Sequence, residues 1–371
     1  MSFRRTPLFN WHVAHSGRMV EFGGWEMPVQ YSSIVEEHQA VRNGVGLFDI
    51  SHMGRLHFQG SDAARFLDHL LTCHVQNLEA GQFRYGIVCN ENGGILDDIL
   101  VYRIEGDEFG MVVNAGNREK IVAWVTKELE KFQATDFLIA IEFQDQTFDL
   151  AMIAVQGRLA LGLVQQIADL DFSPMPYYTG QSVEIDHIPS FVSRTGYTGE
   201  DGFELIVPQA FATPLWEKLI QLGASSAVKP CGLGCRDTLR LEAAMPLYGH
   251  ELSENVDPIT AGLGFAVKLD KPEFVGRESL ISIKNRTDRA ARVGLKLASR
   301  RIAREHTAVF VGMEQIGEVT SGTYSPTLEQ SIAMAYIAQP YAKPGTAVEV
   351  DIRGKREMAE VVSLPFYKRT R

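Results

Sequence analysis

Apolar positions recur along this chain with two periods, and the switches between them mark out its elements. From Ser61 to Leu71 (SDAARFLDHLL) capping residues precede Phe66, Leu67, Leu70 and Leu71, which fall on one stripe at helical spacing and predict a surface helix. The pattern then changes to β-prone runs. Phe83 to Cys89 and Ile95 to Ile104 flank the turn Asn92-Gly93-Gly94, and Phe109 to Val113 follows the turn Gly106-Asp107, which predicts a three-stranded antiparallel meander. Asn117 reads as the N-cap of a helix through Phe132, with Ile121, Val125, Leu129 and Phe132 facing inward. Further helices are expected at about 157–170 and 210–222, with strand-like stretches between them, so the body is α+β.

The last 90 residues are different. Val293–Ala298, Ala308–Val311, Ile316–Thr320, Ser331–Ile337, Ala347–Ile352 and Met358–Val362 are short β-prone runs separated by Gly312, Gly322, Pro340, Pro344-Gly345 and Gly354. They predict a separate small β-barrel or sandwich. The polar stretch Lys284 to Arg292 is the natural boundary, giving an expected body of residues 1–280 and a C-terminal β domain of residues 285–371. No internal repeat of fixed period is visible.

Composition adds limits. With 371 residues, 45% hydrophobic and 22% charged, the chain is an ordinary globular one, long enough for two or three domains. No stretch approaches about 18 consecutive apolar residues and the N-terminus lacks an apolar signal core, so a cytoplasmic, non-membrane protein is expected. Four cysteines, none in a C-x-x-C pair, predict reduced thiols rather than a disulfide framework. The net charge of -10 argues against a nucleic-acid binder. It also hides an asymmetry: residues 281–371 carry 15 Lys and Arg against 9 Asp and Glu, and the preceding 280 carry 21 against 37. A basic end on an acidic body is either a solvated surface or a means of steering an acidic partner.

Several chemistries lack their motifs. There is no phosphate-binding G-x-x-x-x-G-K-[ST], no G-x-S-x-G elbow and no H-E-x-x-H, and the C-x-x-x-C at Cys231 and Cys235 has no second pair nearby, so no metal site is expected. What remains is a set of polar residues in apolar or glycine-rich settings. Asp97 and Asp98 sit inside Ile95–Tyr102, where strand alternation sends their carboxylates to opposite faces and argues against a catalytic pair. Asp98 shares its face with Leu96, Leu100 and Tyr102; it is either a desolvated acid fit for ligand binding or proton transfer, or a turn-flanking aspartate held by backbone donors. Glu204 follows the glycine-rich Gly196–Gly202, whose glycines permit close backbone approach or simply make turns; a carboxylate there can accept two parallel hydrogen bonds from a guanidine-like ring edge. Arg236 and Arg240, one turn apart in a helix entered through Gly232 and Gly234, form either an anion seat or ion pairs with Asp237 or Glu242.

The ordered segments Met19–Pro28, Leu47–Gly54 (LFDISHMG), Asn92–Asp98 (NGGILDD), Gly196–Glu204, Gly232–Ala243 and Thr320–Leu328 resemble, along nearly the whole chain, the aminomethyltransferase (T-protein) family of the glycine cleavage system. The resemblance implies a multi-subdomain cloverleaf around a central folate-binding hole, with two α+β subdomains in the body and a C-terminal β-barrel. It implies transfer of a one-carbon unit from the aminomethyl-lipoyl arm of a lipoylated H-protein to tetrahydrofolate, giving 5,10-methylenetetrahydrofolate, ammonia and the dihydrolipoyl carrier. By position, Asp98 resembles the catalytic carboxylate, Glu204 the pterin-edge contact and Arg236 a ligand-binding arginine. Met53, Tyr85, Val113, Asn114 and Tyr197 resemble pocket-lining positions. No metal is implied, and an acidic carrier is expected to meet basic surface near the central opening. Arg158 and Cys235 stand where relatives commonly have proline and alanine. A folate-dependent demethylase of the same fold is the alternative activity. A non-enzymatic folate-sensing relative is the alternative class, although such proteins carry a cysteine motif where this chain has Arg194–Glu200 (RTGYTGE).

Overall fold

In the computed structural model the residues described are 3–134, 138–226 and 228–369; the outermost residues of the two expected domains, 1–2 and 370–371, lie outside them. The meander forms from Phe83–Cys89, Ile95–Glu105 and Glu108–Val113, and Gly54–Gln59 and Glu142–Asp145 extend it to a five-stranded sheet. Strand alternation gives this sheet two apolar faces. One is covered by the helices Ala63–Leu70 and Arg118–Gln133, where Phe66, Leu67, Leu70, Ile121 and Val125 are fully buried against Phe58, Val101 and Met111. Each such large side chain contributes roughly 1.5–3 kcal/mol by leaving water.

Asn117 occupies the N-cap position of the Arg118–Gln133 helix, as expected, but its side chain makes no capping hydrogen bond. Its side-chain amide donates to Asp97 Oδ1 at 2.6 Å. A fully buried carboxylate leaves several lone pairs unsatisfied, and that demand outweighs the hydrogen bond a helix terminus offers, whose amides water can reach.

The second face of the five-stranded sheet meets a six-stranded sheet that includes Gly46–Asp49, Leu150–Gln156 and Gly202–Pro208. Phe83, Tyr102 and Val112 from the first pack with Phe48, Met152 and Ile206 from the second. The far side of the six-stranded sheet is closed by the helices Ala160–Val164 and Ala212–Leu222, around Phe172, Phe203 and Trp216. The six β-prone runs of the C-terminal part become six strands, Ala290–Leu297 through Lys355–Val362, and close into a barrel with its own core of Leu295, Val319, Ala335 and Val350. α+β layers followed by a barrel are therefore the observed architecture.

The helix Leu233–Glu242 joins barrel and body. Leu241 packs on Ile332 and Met334 of the barrel, and a buried polar seam surrounds it. Within that seam Arg42 Nη2 reaches Glu242 Oε2 at 2.7 Å and Nη1 reaches Glu200 Oε1 at 3.0 Å, while Arg240 Nη1 reaches Glu251 Oε2 at 2.8 Å. Thr320 of the barrel donates to the second oxygen of Glu251 at 2.6 Å, so these charges leave water with their partners in place.

Candidate active site

A cavity of about 500 Å³ opens where the two sheets, the Leu233–Glu242 helix and the barrel converge. Asp98, Tyr85, Asn114, Tyr197, Glu204 and Arg236 all line it, and so does Met53. Val113 does not. It is fully buried in the core beneath the five-stranded sheet, and Val112 lines the cavity instead. Period-two alternation explains the exchange: with Asn114 facing the cavity, its neighbour Val113 turns away and Val112 returns to the ligand side.

The strand Ile95–Glu105 carries Asp98 to the cavity wall, paired across from Ile87. Tyr85 Oη donates to Asp98 Oδ2 at 2.9 Å and Asn114 Nδ2 donates to Oδ1 at 2.8 Å. The same Asn114 amide donates to Asp97 Oδ1 at 2.8 Å, and the Asn114 backbone N–H donates to Asp97 Oδ2 at 2.9 Å. Alternation keeps Asp97 out of the cavity and fully buried, in line with the expectation of opposite faces, and the one Asn114 amide bridges both carboxylates. Burial raises both carboxyls above the ordinary range; the charge of Asp98 pushes Asp97 further up, and the amide and phenol donors oppose the rise. Two coupled carboxyls of this kind can hold a proton near neutrality. Burial, then the Asp98 charge, also raises Tyr85 far above its usual range, so its phenol remains a donor.

At another part of the wall stand Glu204 and Arg236. Glu204 lies in the strand Gly202–Pro208 between Ala154 and Ser193. Thr195 Oγ1 donates to Glu204 Oε2 at 2.5 Å, and no hydrogen bond from a described residue reaches Oε1. Burial raises the Glu204 carboxyl, opposed by Thr195 and by the charge of Arg236. Arg236, in the first turn of Leu233–Glu242, lies over the Tyr197 ring at 4.7 Å and makes no side-chain hydrogen bond or ion pair among the described residues. Tyr197 is pinned in turn by its hydroxyl donating to the Pro246 carbonyl. Arg240 is not part of an anion seat. It is paired with Asp237 at 2.8 Å and with Glu251, and it faces the barrel seam.

Two of the glycines before Glu204 have a packing task. A Cβ on Gly196 would come within 2.0 Å of the Gln156 amide and one on Gly202 within 2.4 Å, so the loop at Gly196 and the strand start at Gly202 both close on that side chain. Gln156 Nε2 donates to the Thr195 carbonyl at 3.0 Å and its Oε1 accepts from Thr198 at 2.9 Å, which fixes the loop that presents Thr195 to Glu204.

The sequence reading did not single out His52, Tyr178, Phe265 or Arg292, all of which line the cavity. His52 stands directly before Met53 in a segment already noted. Arg292 comes from the barrel strand Ala290–Leu297, and nothing local in the chain connects that strand with a cavity in the body. The structure also brings Glu37 beside Cys231 and Cys235, with ligand-type atoms within 4.8 Å of one another. Each is already engaged: Glu37 accepts from the backbone of Tyr31, Ser32 and Gly232, and both thiols donate to carbonyls.

Comparison with known proteins fits this geometry. Residues 8–271 match the GCVT N-terminal domain and residues 291–368 the glycine cleavage T-protein C-terminal barrel domain. The chain is 45% identical over 373 residues to an aminomethyltransferase of Bacillus mycoides, covering 100% of both chains. It is 43% identical over 366 residues to one of Desulfitobacterium hafniense, covering 99% of this chain and 98% of that one. A crystal structure of the glycine cleavage system aminomethyltransferase T from Bartonella henselae superposes with a TM-score of 0.91 at 34% identity, covering 99% of each chain.

Proposed function

The chain belongs to the glycine cleavage T-protein family of aminomethyltransferases, and from that premise we propose that its cavity takes tetrahydrofolate beside Asp98 and receives the aminomethyl-lipoyl arm of an H-protein. The reaction is transfer of the arm's one-carbon unit to folate, yielding 5,10-methylenetetrahydrofolate, ammonia and the dihydrolipoyl carrier.

The observation that carries this reading is the unequal pairing of the polar groups around the cavity. Among the described residues Arg236 has no counter-ion and Glu204 has a free oxygen, while Tyr197, Met53 and Val112 supply apolar surface for a flat heterocycle. Glu204 Oε1 suits an amino-substituted ring edge, and the Thr195 bond to Oε2 aims it. Folate supplies the nucleophilic nitrogen. Asp98 holds a carboxylate oriented by Tyr85 and Asn114, and the Asn114 amide it shares with Asp97 keeps a second acid close by, so a proton accepted from the reactants lowers the negative charge of the pair by one. Bringing two reactants together in one enclosed site then contributes much of the acceleration. A second cavity of about 250 Å³ shares Tyr85, Tyr178 and Phe265 with the first and is lined by Arg84 and Lys268; it is the approach we assign to the arm of an acidic carrier.

The test incubates purified protein with aminomethyl-loaded H-protein, with and without tetrahydrofolate, and follows ammonia. Folate-dependent release is expected; release indifferent to folate would reject the reading and leave a demethylase or a non-enzymatic relative to be considered. Asp98→Asn is expected to keep folate affinity within about tenfold while lowering turnover by more than about 100-fold. Equal losses in binding and turnover would remove Asp98 from the chemistry.

A further inference from the structure

Three histidines are fully or almost fully buried, and they are not in equivalent settings. His12 uses both ring nitrogens, Nε2 with Asp49 at 2.9 Å and Nδ1 with Tyr31 Oη at 2.7 Å. His38 does the same, with Thr238 and Thr327 each at 2.8 Å. His52, only 1% exposed, makes no hydrogen bond through either nitrogen among the described residues, and its Nδ1 is shut off from solvent. Of these three, only His52 lines the large cavity. Its ring meets Phe22 edge-on at 5.7 Å, with Met53 and Ile50 also on the wall.

A buried polar ring without partners destabilises a fold, and an apolar residue of similar size would remove that cost. Stability of the ligand-free protein therefore gives no account of this side chain. Its electrostatic state narrows what it can do. Burial lowers the imidazole pKa to about 3, the positive charges of Arg236 and Arg55 act in the same direction, and Asp49 opposes them. The ring stays neutral, with one N–H to donate and one lone pair to accept, and Arg236, already placed at the heterocycle, is near enough to act on its titration.

We infer that His52 is an uncharged hydrogen-bonding contact for the reduced heterocycle in this cavity, beside the charged contacts from Glu204 and Arg236. The inference rests on the folate reading above. Because Nδ1 is closed to solvent, Nε2 is the nitrogen that can meet a ligand, and an uncharged nitrogen there suits a ring edge carrying an N–H, ring nitrogen or carbonyl group; it offers no counter-charge to an ammonium or a carboxylate.

The experiment titrates tetrahydrofolate into wild type, His52→Leu and His52→Gln, and measures thermal unfolding of each without ligand. His52→Leu is expected to raise the folate Kd about tenfold while its ligand-free melting temperature is unchanged or higher. His52→Gln, whose amide reaches the Nε2 position, is expected to recover part of the affinity. An unchanged Kd in His52→Leu overturns the inference and leaves the folate reading intact. So does a ligand-free His52→Leu that melts early or fails to fold while His52→Gln is stable, because the ring would then be structural. A wild type that binds no tetrahydrofolate overturns the folate reading itself, and this inference with it.

Discussion

Arg236 and Arg240 stand one turn apart on the same helix, yet their surroundings are opposite. Arg240 is engaged by Asp237, Glu251, Ser321 Oγ and the Met245 carbonyl, and the Arg236 side chain has, among the described residues, the face of Tyr197 and no hydrogen bond. The glutamates repeat the contrast. Glu242 accepts from Arg42, Ser325 and the Thr327 backbone; burial would raise its carboxyl, but His38 first, then Arg42 and Ser325, hold it down at about 2. Among the described residues the Glu204 carboxylate accepts from Thr195 alone, and burial raises it. Charges at the joint of barrel and body are complete within the protein, whereas Arg236 and Glu204 at the cavity are left incomplete among the described residues. Pairing separates architecture from recognition in residues that the sequence presents alike.

The largest effect expected from this contrast is on folding. Arg240→Met strands Glu251 in the seam and should cost about 3–5 kcal/mol in urea unfolding. Arg236→Met, which breaks no ion pair, should stay within about 1 kcal/mol of wild type and lose folate affinity instead. Similar stability losses in the two variants would erase the distinction.

Acid sharpens the comparison at the next level. The Glu242 carboxyl lies below its ordinary value of 4.5 in the folded protein, so it contributes stability above about pH 4.5 that disappears as pH falls towards about 2. The size is about 3 kcal/mol, from roughly 1.4 kcal/mol per unit. Glu242→Gln should therefore be less stable than wild type at pH 7, and the gap should narrow on titration to pH 3; a gap constant with pH would remove the seam's acid dependence from this residue.

Glu204 carries the smallest and most discriminating effect because its sign is reversed. A carboxyl raised by burial is more costly to ionise in the folded state, so its contribution becomes unfavourable as pH rises above the unfolded value. Glu204→Gln should be as stable as wild type or slightly more so at pH 8 without ligand, by less than about 1 kcal/mol, with folate affinity lowered about tenfold. A clear loss of stability, or an unchanged affinity in titration, would place Glu204 with the seam.

Much of this was legible in the chain. The meander and the six barrel runs were readable because strand alternation and turn residues act over two to ten positions. Asp98 and Glu204 stood out as acids within apolar or glycine-rich runs, and the resemblance gave them roles. Other features escaped for definite reasons. Asn117 takes the N-cap position, but that its side chain serves Asp97 rather than the helix escapes a local reading, because Asp97 lies 20 positions earlier. Val113 was chosen over Val112 because a resemblance matches positions, while the face of a strand is set by what packs on each side. His52 was passed over because its lack of partners is visible only when every neighbour is in place.

The sequence by itself determined the periods, hence the elements, the order of α+β layers and barrel, and the types of side chain available for chemistry. Only the tertiary structure decided which of those side chains would be satisfied. Arg42 meets Glu242 from 200 positions away within the body, and Arg240 meets Ser321 of the barrel from 81, so their pairing depends on the final packing of elements distant in the chain. Periodicity is a local property of the backbone; neutralising a buried charge requires a partner within a few ångströms, and only the folded chain brings one there.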